Sequence, residues 1–304
     1  MAQSASHREK VWGSLITNLN YLPGLLTLFH SLQTTQTKYS FVAFYTESFP
    51  SEGLAALQAR GIQTHCVPAV QPGQTRAYDH DPRFQETWTK LVVFSLIQYE
   101  RIVLLDGDML VRKNMDELMD IPLDTDADRV FAASHACACN PMKKAHYPKT
   151  WAPANCAFTT QHAMPIDAQT TGAASSTGVG MLNSGLLVVH PSQTVWKQIQ
   201  AALLIPERTD KYDFPDQELL SDVFRGRWVP LPYVYNALKT MRWEGVHAAI
   251  WRDDQVKNIH YIFAKKPWHE DPADPTLDET NQWWWAANSE RQQLDQQKGI
   301  TDGY

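Results

Sequence analysis

Between Val11 and Phe263 short apolar runs alternate with stretches whose apolar residues recur at helical spacing. Val11 to Leu19 reads as a first strand, and Tyr21 to Leu32 as a helix entered through Pro23-Gly24. Phe41 to Thr46 gives a second strand, Ser51 to Arg60 a helix capped by Ser51 and stopped by Gly61, and Ile62 to Val67 a third strand. That rhythm predicts an α/β fold with a mostly parallel, helix-covered central sheet. Gln71 to Arg83, polar and broken by Pro72, Gly73 and Pro82, reads as a surface loop. Phe84 to Tyr99 reads as a helix carrying Trp88, Lys90, Leu91, Phe94 and Leu96. Further strands are expected at Ile102 to Leu105, Val130 to Ser134 and Met181 to His190, with Asn183, Ser184 and Gly185 preceding the apolar run of the last. Pro191 to Leu204 reads as a helix, and Pro215 starts another whose first turn holds Asp216 and Gln217.

Two regions break the rhythm. From His135 to Gly180 no period of two or 3.6 survives among Pro, Thr, Ser, Ala, Asn and Cys, the pattern of a functional loop over a site. The tail from His269 is rich in Asp, Pro, Gln and Glu around Trp283-Trp284-Trp285, three rings expected to dock on the body. The expected organisation is one domain over residues 1–270, with an irregular acceptor-side insertion at about 135–180, and a docked tail over 271–304.

The chemistry concentrates where Ile102 to Leu105 ends. This uninterrupted apolar run suits a strand buried on both faces, and it is followed by Asp106-Gly107-Asp108. The carboxyl edge of such a strand is where open α/β sheets bind ligands. Two hard oxygen donors around a residue with no side chain suit Mg²⁺ or Mn²⁺ that keeps positions open for phosphate oxygens. Asn114 is placed to cap a short helix through Leu118, with Asp116 and Glu117 in its first turn. A helix N-terminus at Pro215 would keep Asp216 ionised.

Composition narrows the class. A chain of 304 residues, 43% hydrophobic and 20% charged, is an ordinary globular protein, and a formal charge of -6 argues against a grip on nucleic-acid backbone. No run approaches the length of a membrane span, and the first ten residues hold no apolar signal core, so a cytoplasmic protein is the default. Four cysteines make no disulfide framework. Cys137 and Cys139, with Cys156 and His135 or His146 nearby, offer zinc donors, but Cys-x-Cys lacks the usual two-residue gap and a clean second pair, so reduced thiols without zinc are expected.

The order Leu15-Ile-Thr-Asn-x-x-Tyr21, Thr89-Lys-Leu-x-x-Phe94, Leu105-Asp-Gly-Asp-Met-Leu-Val111, Leu182-Asn-Ser-Gly185, Asp213-x-x-Asp-Gln-x-Leu-Leu220 and His260-Tyr-x-x-x-x-Lys-Pro-Trp268 resembles the glycogenin and galactinol synthase group of retaining glycosyltransferases. The Cys137-x-Cys139 pair, Tyr235-Asn236 and Met241-Arg242-Trp243 resemble stretches of the galactinol synthase branch, including its fungal members. The resemblance implies a GT-A fold, a Rossmann-like α/β domain that uses a UDP-sugar with Mn²⁺ (or Mg²⁺). By motif it implies Asp106, Asp108 and His260 as metal ligands. It puts Leu15, Thr17, Asn18 and Tyr21 at the uridine, Gly107 against the diphosphate and Lys266 paired with it. Lys90 would lie by phosphate and sugar, and Asn183, Ser184, Asp213, Asp216 and Gln217 around the donor sugar. Phe263-Ala264-Lys265 stands where the group usually has a glycine, and glycogenin's acceptor tyrosine has no counterpart.

The implied reaction is retaining transfer of a hexosyl unit, galactose or glucose, to a hydroxyl acceptor such as myo-inositol or another small polyol or glycan. Asp216, Gln217 and Lys90 are the expected catalytic residues, and a homodimer is the expected assembly. Two rivals come from other classes. An aspartate-nucleophile phosphatase would use Asp106 with Asp253-Asp254 as its later acid pair, although more than a hundred residues precede Asp106. The other is a UDP-binding scaffold without turnover.

Overall fold

The computed structural model describes residues 8–74, 78 and 84–304. In chain order the strands are β1 (Glu9–Ile16), β2 (Ser40–Tyr45), β3 (Gln63–Cys66), β4 (Tyr99–Leu105), β5 (Met109–Val111), β6 (Phe131–His135), β7 (Leu182–Val189), β8 (Val229–Pro230), β9 (Ala237–Leu238) and β10 (Asn258–His260). The α-helices are α1 (Leu22–Thr34), α2 (Ser51–Ala59), α3 (Phe84–Thr87), α4 (Gln193–Leu203), α5 (Pro206–Thr209), α6 (Pro215–Val223) and α7 (Glu279–Gln297).

Seven strands form the main sheet in the order β3-β2-β1-β4-β7-β6-β8. The β3-β2-β1-β4 portion is parallel, and β7 runs antiparallel to both neighbours. The α/β expectation therefore holds, with the antiparallel β7 as its exception. Ile102 to Leu105 is shut from solvent on both faces, as its unbroken apolar run implied. Each such side chain contributes roughly 1.5–3 kcal/mol of burial. Ile102 and Leu104 join the core beneath the Trp88 to Phe94 segment and α4, whereas Val103 and Leu105 join the one beneath α1 and α2. A third core, with Tyr233, Met241, Trp251, Tyr261 and Trp284, lies under the small sheet β5-β10-β9.

Several boundaries differ from the sequence reading. The stretch Phe84 to Tyr99 is not one α-helix: α3 passes into a 3₁₀ helix, Trp88–Ser95, and Tyr99 already belongs to β4. Trp88, Thr89, Leu91, Val92, Val93 and Phe94 are all buried, so no single apolar stripe imposes the α period. Pro50 occupies the N-cap of α2, and Ser51, its first helical residue, makes no capping bond. Asn114 accepts from the Asp116 N–H at 2.9 Å in a turn before a 3₁₀ helix, Asp116–Asp120. Asn183, Ser184 and Gly185 lie inside β7. The expected loop at Gln71 to Arg83 lies, for 75–77 and 79–83, outside the described residues.

The tail forms α7, which packs along α1: Trp284 is fully buried beside Trp268, and Thr27 Oγ1 donates to Asn288 Oδ1 at 3.0 Å. Among the described residues, no helix is long and apolar enough to cross a membrane.

Candidate active site

Register brings the distant motifs together. The chain leaves β4 at Leu105, and the Asp106 N–H is taken by the Gly185 carbonyl of β7 at 2.8 Å. After Gly107 and Asp108 it enters β5, which pairs antiparallel with β10 so that His260 stands opposite Met109. Tyr261 then donates its N–H to the Asp108 carbonyl at 2.9 Å. Two glycines permit the approach. A Cβ at Gly24 would collide with the Gly107 carbonyl and the Trp268 ring, and one at Gly185 would collide with Cε1 of His260.

Asp106, Asp108 and His260 each turn one ligand atom to a common point, all within 4.8 Å of one another. Nε2 of His260 lies 3.3 Å from Asp108 Oδ1 and 3.8 Å from Asp106 Oδ2. Its Nδ1 is 2.9 Å from Asn236 Oδ1. Asn236 spends its own N–H₂ on Asn183 Oδ1 at 2.8 Å, and Asn183 donates in turn to Gln217 Oε1 at 3.1 Å. This relay fixes Asn236 Oδ1 as an acceptor, so Nδ1 of His260 carries a proton and Nε2 is the ring nitrogen turned to the carboxylates. A carbonyl holding the far nitrogen in this way is how metal-binding imidazoles are oriented. Two carboxylates and one imidazole nitrogen on one side of an open pocket fit a hard divalent cation with positions left for a ligand.

Lysines flank the acids. Lys90 Nζ is 2.7 Å from Asp106 Oδ1 and 3.8 Å from Asp216 Oδ2, and Lys266 Nζ is 2.5 Å from Asp108 Oδ2 and 2.9 Å from the Tyr261 carbonyl. Burial pushes the Asp106 carboxyl up, beyond what the Lys90 ammonium recovers, and Asp108 adds to that rise. Burial also works against the Asp108 anion, but Lys266 and then His260 override it and hold that carboxyl well below the usual range. Lys90 is held above its ordinary value by Asp106 and Asp216, against the opposing pull of burial. Three carboxylates (Asp106, Asp108, Asp216) against two ammoniums leave a net negative charge that favours an added cation. Asp216 lines the same pocket, and its Oδ2 is buried without a hydrogen-bond partner.

The remaining residues named from the sequence fall as follows. Leu15, Thr17, Asn18, Tyr21, Gly107, Asn183, Ser184 and Gln217 line this same pocket. Asp213 does not. Tyr21 packs edge-on to Trp268 at 5.9 Å, with Lys266 Nζ 5.7 Å from its ring. Asp253, the phosphatase reading's later acid, is clamped by the Arg242 guanidinium at 2.9 Å and lies outside the pocket, as does Asp254.

Five members of the site escaped the sequence reading. Asn236 orients His260, and Glu86 takes hydrogen bonds from Thr17 Oγ1 and, at 3.0 Å, from Asn18 Nδ2. An aromatic wall also closes one side, with Trp151 stacked on Phe214 at 5.0 Å and 8° and Tyr147 edge-on to both. Only Tyr235-Asn236 carried any signal, as part of a matching stretch with no role attached.

A strand-end acid pair and a polar relay lie at the rim of a parallel-based α/β sheet, and comparison with known proteins gives the class of the chain. The family description "Glycosyl transferase family 8" matches residues 14–272, and the chain belongs to that family. Galactinol synthase 1 of Ajuga reptans is 25% identical over 285 residues, 91% of this chain and 80% of the relative. An uncharacterised protein of Acanthamoeba polyphaga mimivirus, R707, is 29% identical over 265 residues, 86% of this chain and 83% of that one. In fold, the galactosyltransferase LgtC, solved with donor and acceptor sugar analogues, superposes with a TM-score of 0.60 at 18% identity, covering 92% of this chain and 96% of LgtC. The glycosyltransferase GlyE of Streptococcus pneumoniae superposes at 0.59 and 15%, covering 96% and 65%. The fold is GT-A, and the chain is a galactinol synthase-like glycosyltransferase of family 8.

Proposed function

We propose that the protein moves a hexosyl unit, galactose or glucose, from a UDP-sugar to a hydroxyl of a small polyol such as myo-inositol, with retention of anomeric configuration and dependence on Mn²⁺. The observation that carries this is the convergence of Asp106, Asp108 and His260 on one point flanked by Lys90 and Lys266. A cation held there neutralises charge developing on the departing diphosphate. Lys266, buried against Asp108, stands ready to share its ammonium with phosphate oxygens. Thr17 and Asn18, with Glu86 between them, present polar groups at the mouth that suit a uracil and ribose, and Tyr21 supplies a ring.

Asp216 and Gln217, in the first turn of α6, face the sugar side of the pocket. Asp216, at the N-terminal end of α6, is the carboxyl group offered to the positive charge that grows at the anomeric carbon. Lys90, paired with Asp106 and 3.8 Å from Asp216, stands between the phosphate and sugar ends of the site. The wall of Tyr147, Trp151 and Phe214 supports an acceptor with apolar ring faces, and galactose onto myo-inositol is the sharpest form of the reading because the galactinol synthase relatives span most of this chain.

The test is a donor and acceptor matrix: UDP-galactose, UDP-glucose and UDP-N-acetylglucosamine, each with and without myo-inositol. UDP release with a hexose donor, accelerated by the polyol and giving an α-linked product, supports the reading. Absence of nucleotide release with every donor overturns it.

A further inference from the structure

The irregular stretch between β6 and β7 poses a physical problem. Its only helical pieces are three 3₁₀ turns, Pro153–Asn155, Ala157–Gln161 and Asp167–Gln169, yet Ala136, Cys137, Ala138, Cys156, Phe158 and Ala168 are buried within it. Something other than a hydrogen-bonded ladder must fix this segment, because a loop of this length does not order itself.

Cys137, Cys139, Cys156 and His247 meet there, their ligand atoms within 4.8 Å of one another. Nε2 of His247 is 3.3 Å from each of the three sulfurs. A single ring nitrogen takes part in one hydrogen bond, as donor or acceptor, and cannot serve three thiols equally. Three sulfurs equidistant from one ring nitrogen, with all four atoms within 4.8 Å of one another, are what one ion would hold. Zinc bonds of about 2.3 Å to sulfur and about 2.0 Å to nitrogen, at tetrahedral angles, separate S from N by about 3.5 Å, close to the observed spacing.

The surroundings point the same way. Nδ1 of His247 is 2.9 Å from Nε2 of His162, a partner that can take the Nδ1 proton and so orient the ring with Nε2 toward the sulfurs. The Phe158 ring packs edge-on to the imidazole at 5.4 Å, and Cys156 and His247 are fully buried. All four cysteines of the chain are free, and Cys66 lies apart and exposed. The sequence expectation of no zinc rested on the Cys-x-Cys gap and the lack of a clean second pair, with His135 or His146 as the histidine donors in view. His135 instead bonds the Ala173 and Ala174 carbonyls, and the fourth donor is His247, too far along the chain for any spacing rule to find.

We infer that Cys137, Cys139, Cys156 and His247 bind one structural Zn²⁺ that staples the β6–β7 insertion to the 243–251 loop. Four protein donors leave no open position, so the ion is structural, and compact donors exclude a polynuclear iron–sulfur cluster, which holds its thiolates farther apart. The thiols lose their protons to solvent as zinc binds, and no electron changes hands. Its placement has a consequence for the transferase pocket, since Asn140, Lys144 and Tyr147, just beyond the two cysteines, line it. The zinc would therefore hold the acceptor-side wall, and this does not depend on which sugar or acceptor is used.

The experiment is metal analysis of the full-length protein, purified without added metal and dialysed against EDTA. The expected result is one zinc per chain, retained by Asp108→Asn and lost from Cys156→Ser and His247→Gln. His162→Phe keeps the four donors and should weaken zinc retention about 10–100-fold. Because the cysteine variants can fail to fold, wild-type protein grown in Co²⁺ supplies an independent readout: intense visible absorption of tetrahedral thiolate-bound Co²⁺. Cooperatively folding wild-type protein without zinc, whose four cysteines all react promptly with a thiol reagent, would overturn the inference, as would a Co²⁺ spectrum lacking thiolate bands.

Discussion

Lys266 Nζ lies 2.5 Å from Asp108 Oδ2 across 158 positions of sequence, and both side chains are almost wholly buried. A buried carboxylate deprived of its partner costs far more than the intact pair contributes. Lys266→Ala should therefore lower stability in metal-free buffer by about 3 kcal/mol, and saturating Mn²⁺, which supplies a new counter-charge to Asp108, should restore part of that loss. Thermal unfolding of wild type and variant with and without Mn²⁺ measures both effects.

Gly185 gives a steric test of the same site. A Cβ there would collide with Cε1 of His260 and stand 2.8 Å from its Nδ1, within the bond to Asn236. Gly185→Ala should turn the imidazole away while leaving β7 paired on both sides. The expected outcome is a fall in turnover of about 100-fold, the usual consequence of misplacing a site group by an ångström, with little change in circular dichroism. Mn²⁺ affinity by electron paramagnetic resonance should fall alongside.

A pH effect is expected where the tail meets the body. Arg60, at the end of α2, donates to Asp295 of α7 at 2.8 Å and forks onto Asp302 at 2.6 and 2.9 Å. Hydrogen bonding from Arg60 holds the Asp302 carboxyl below its ordinary value. A depressed carboxyl stabilises the fold above its unfolded value, near about 3.9, and that contribution is lost as pH falls through the lower folded value. Arg60→Ala should thus cost about 1–2 kcal/mol at pH 7, and the gap between variant and wild type should close only at pH below about 4. Denaturant melts across pH measure this gap.

The legible parts of the molecule were those in which apolar identity and period coincide. Ile102 to Leu105 announced a doubly buried strand, and Pro215 announced the start of α6 with Asp216 in its first turn. The tail shows why other elements were missed. In α7 the buried positions Trp284, Asn288, Arg291 and Asp295 recur at helical spacing, but three of the four are polar and satisfied among themselves and by Thr27 and Arg60. A hydropathy reading sees no stripe there. In the site, Asp106 and Asp108 were visible because they share one strand end, whereas Asn236 and His247 act through partners far away in sequence. No local pattern encodes such meetings; strand register and side-chain packing do.

Asp106, Asp108 and His260 are proposed to hold one cation that receives the diphosphate. Crystals grown with UDP and Mn²⁺, with diffraction recorded at the manganese edge, test it most directly. One anomalous peak is expected, bonded to both carboxylates and to Nε2 of His260, with diphosphate oxygens of UDP completing its coordination. UDP bound with its phosphates turned from this point, or manganese beyond reach of that nitrogen, would contradict it.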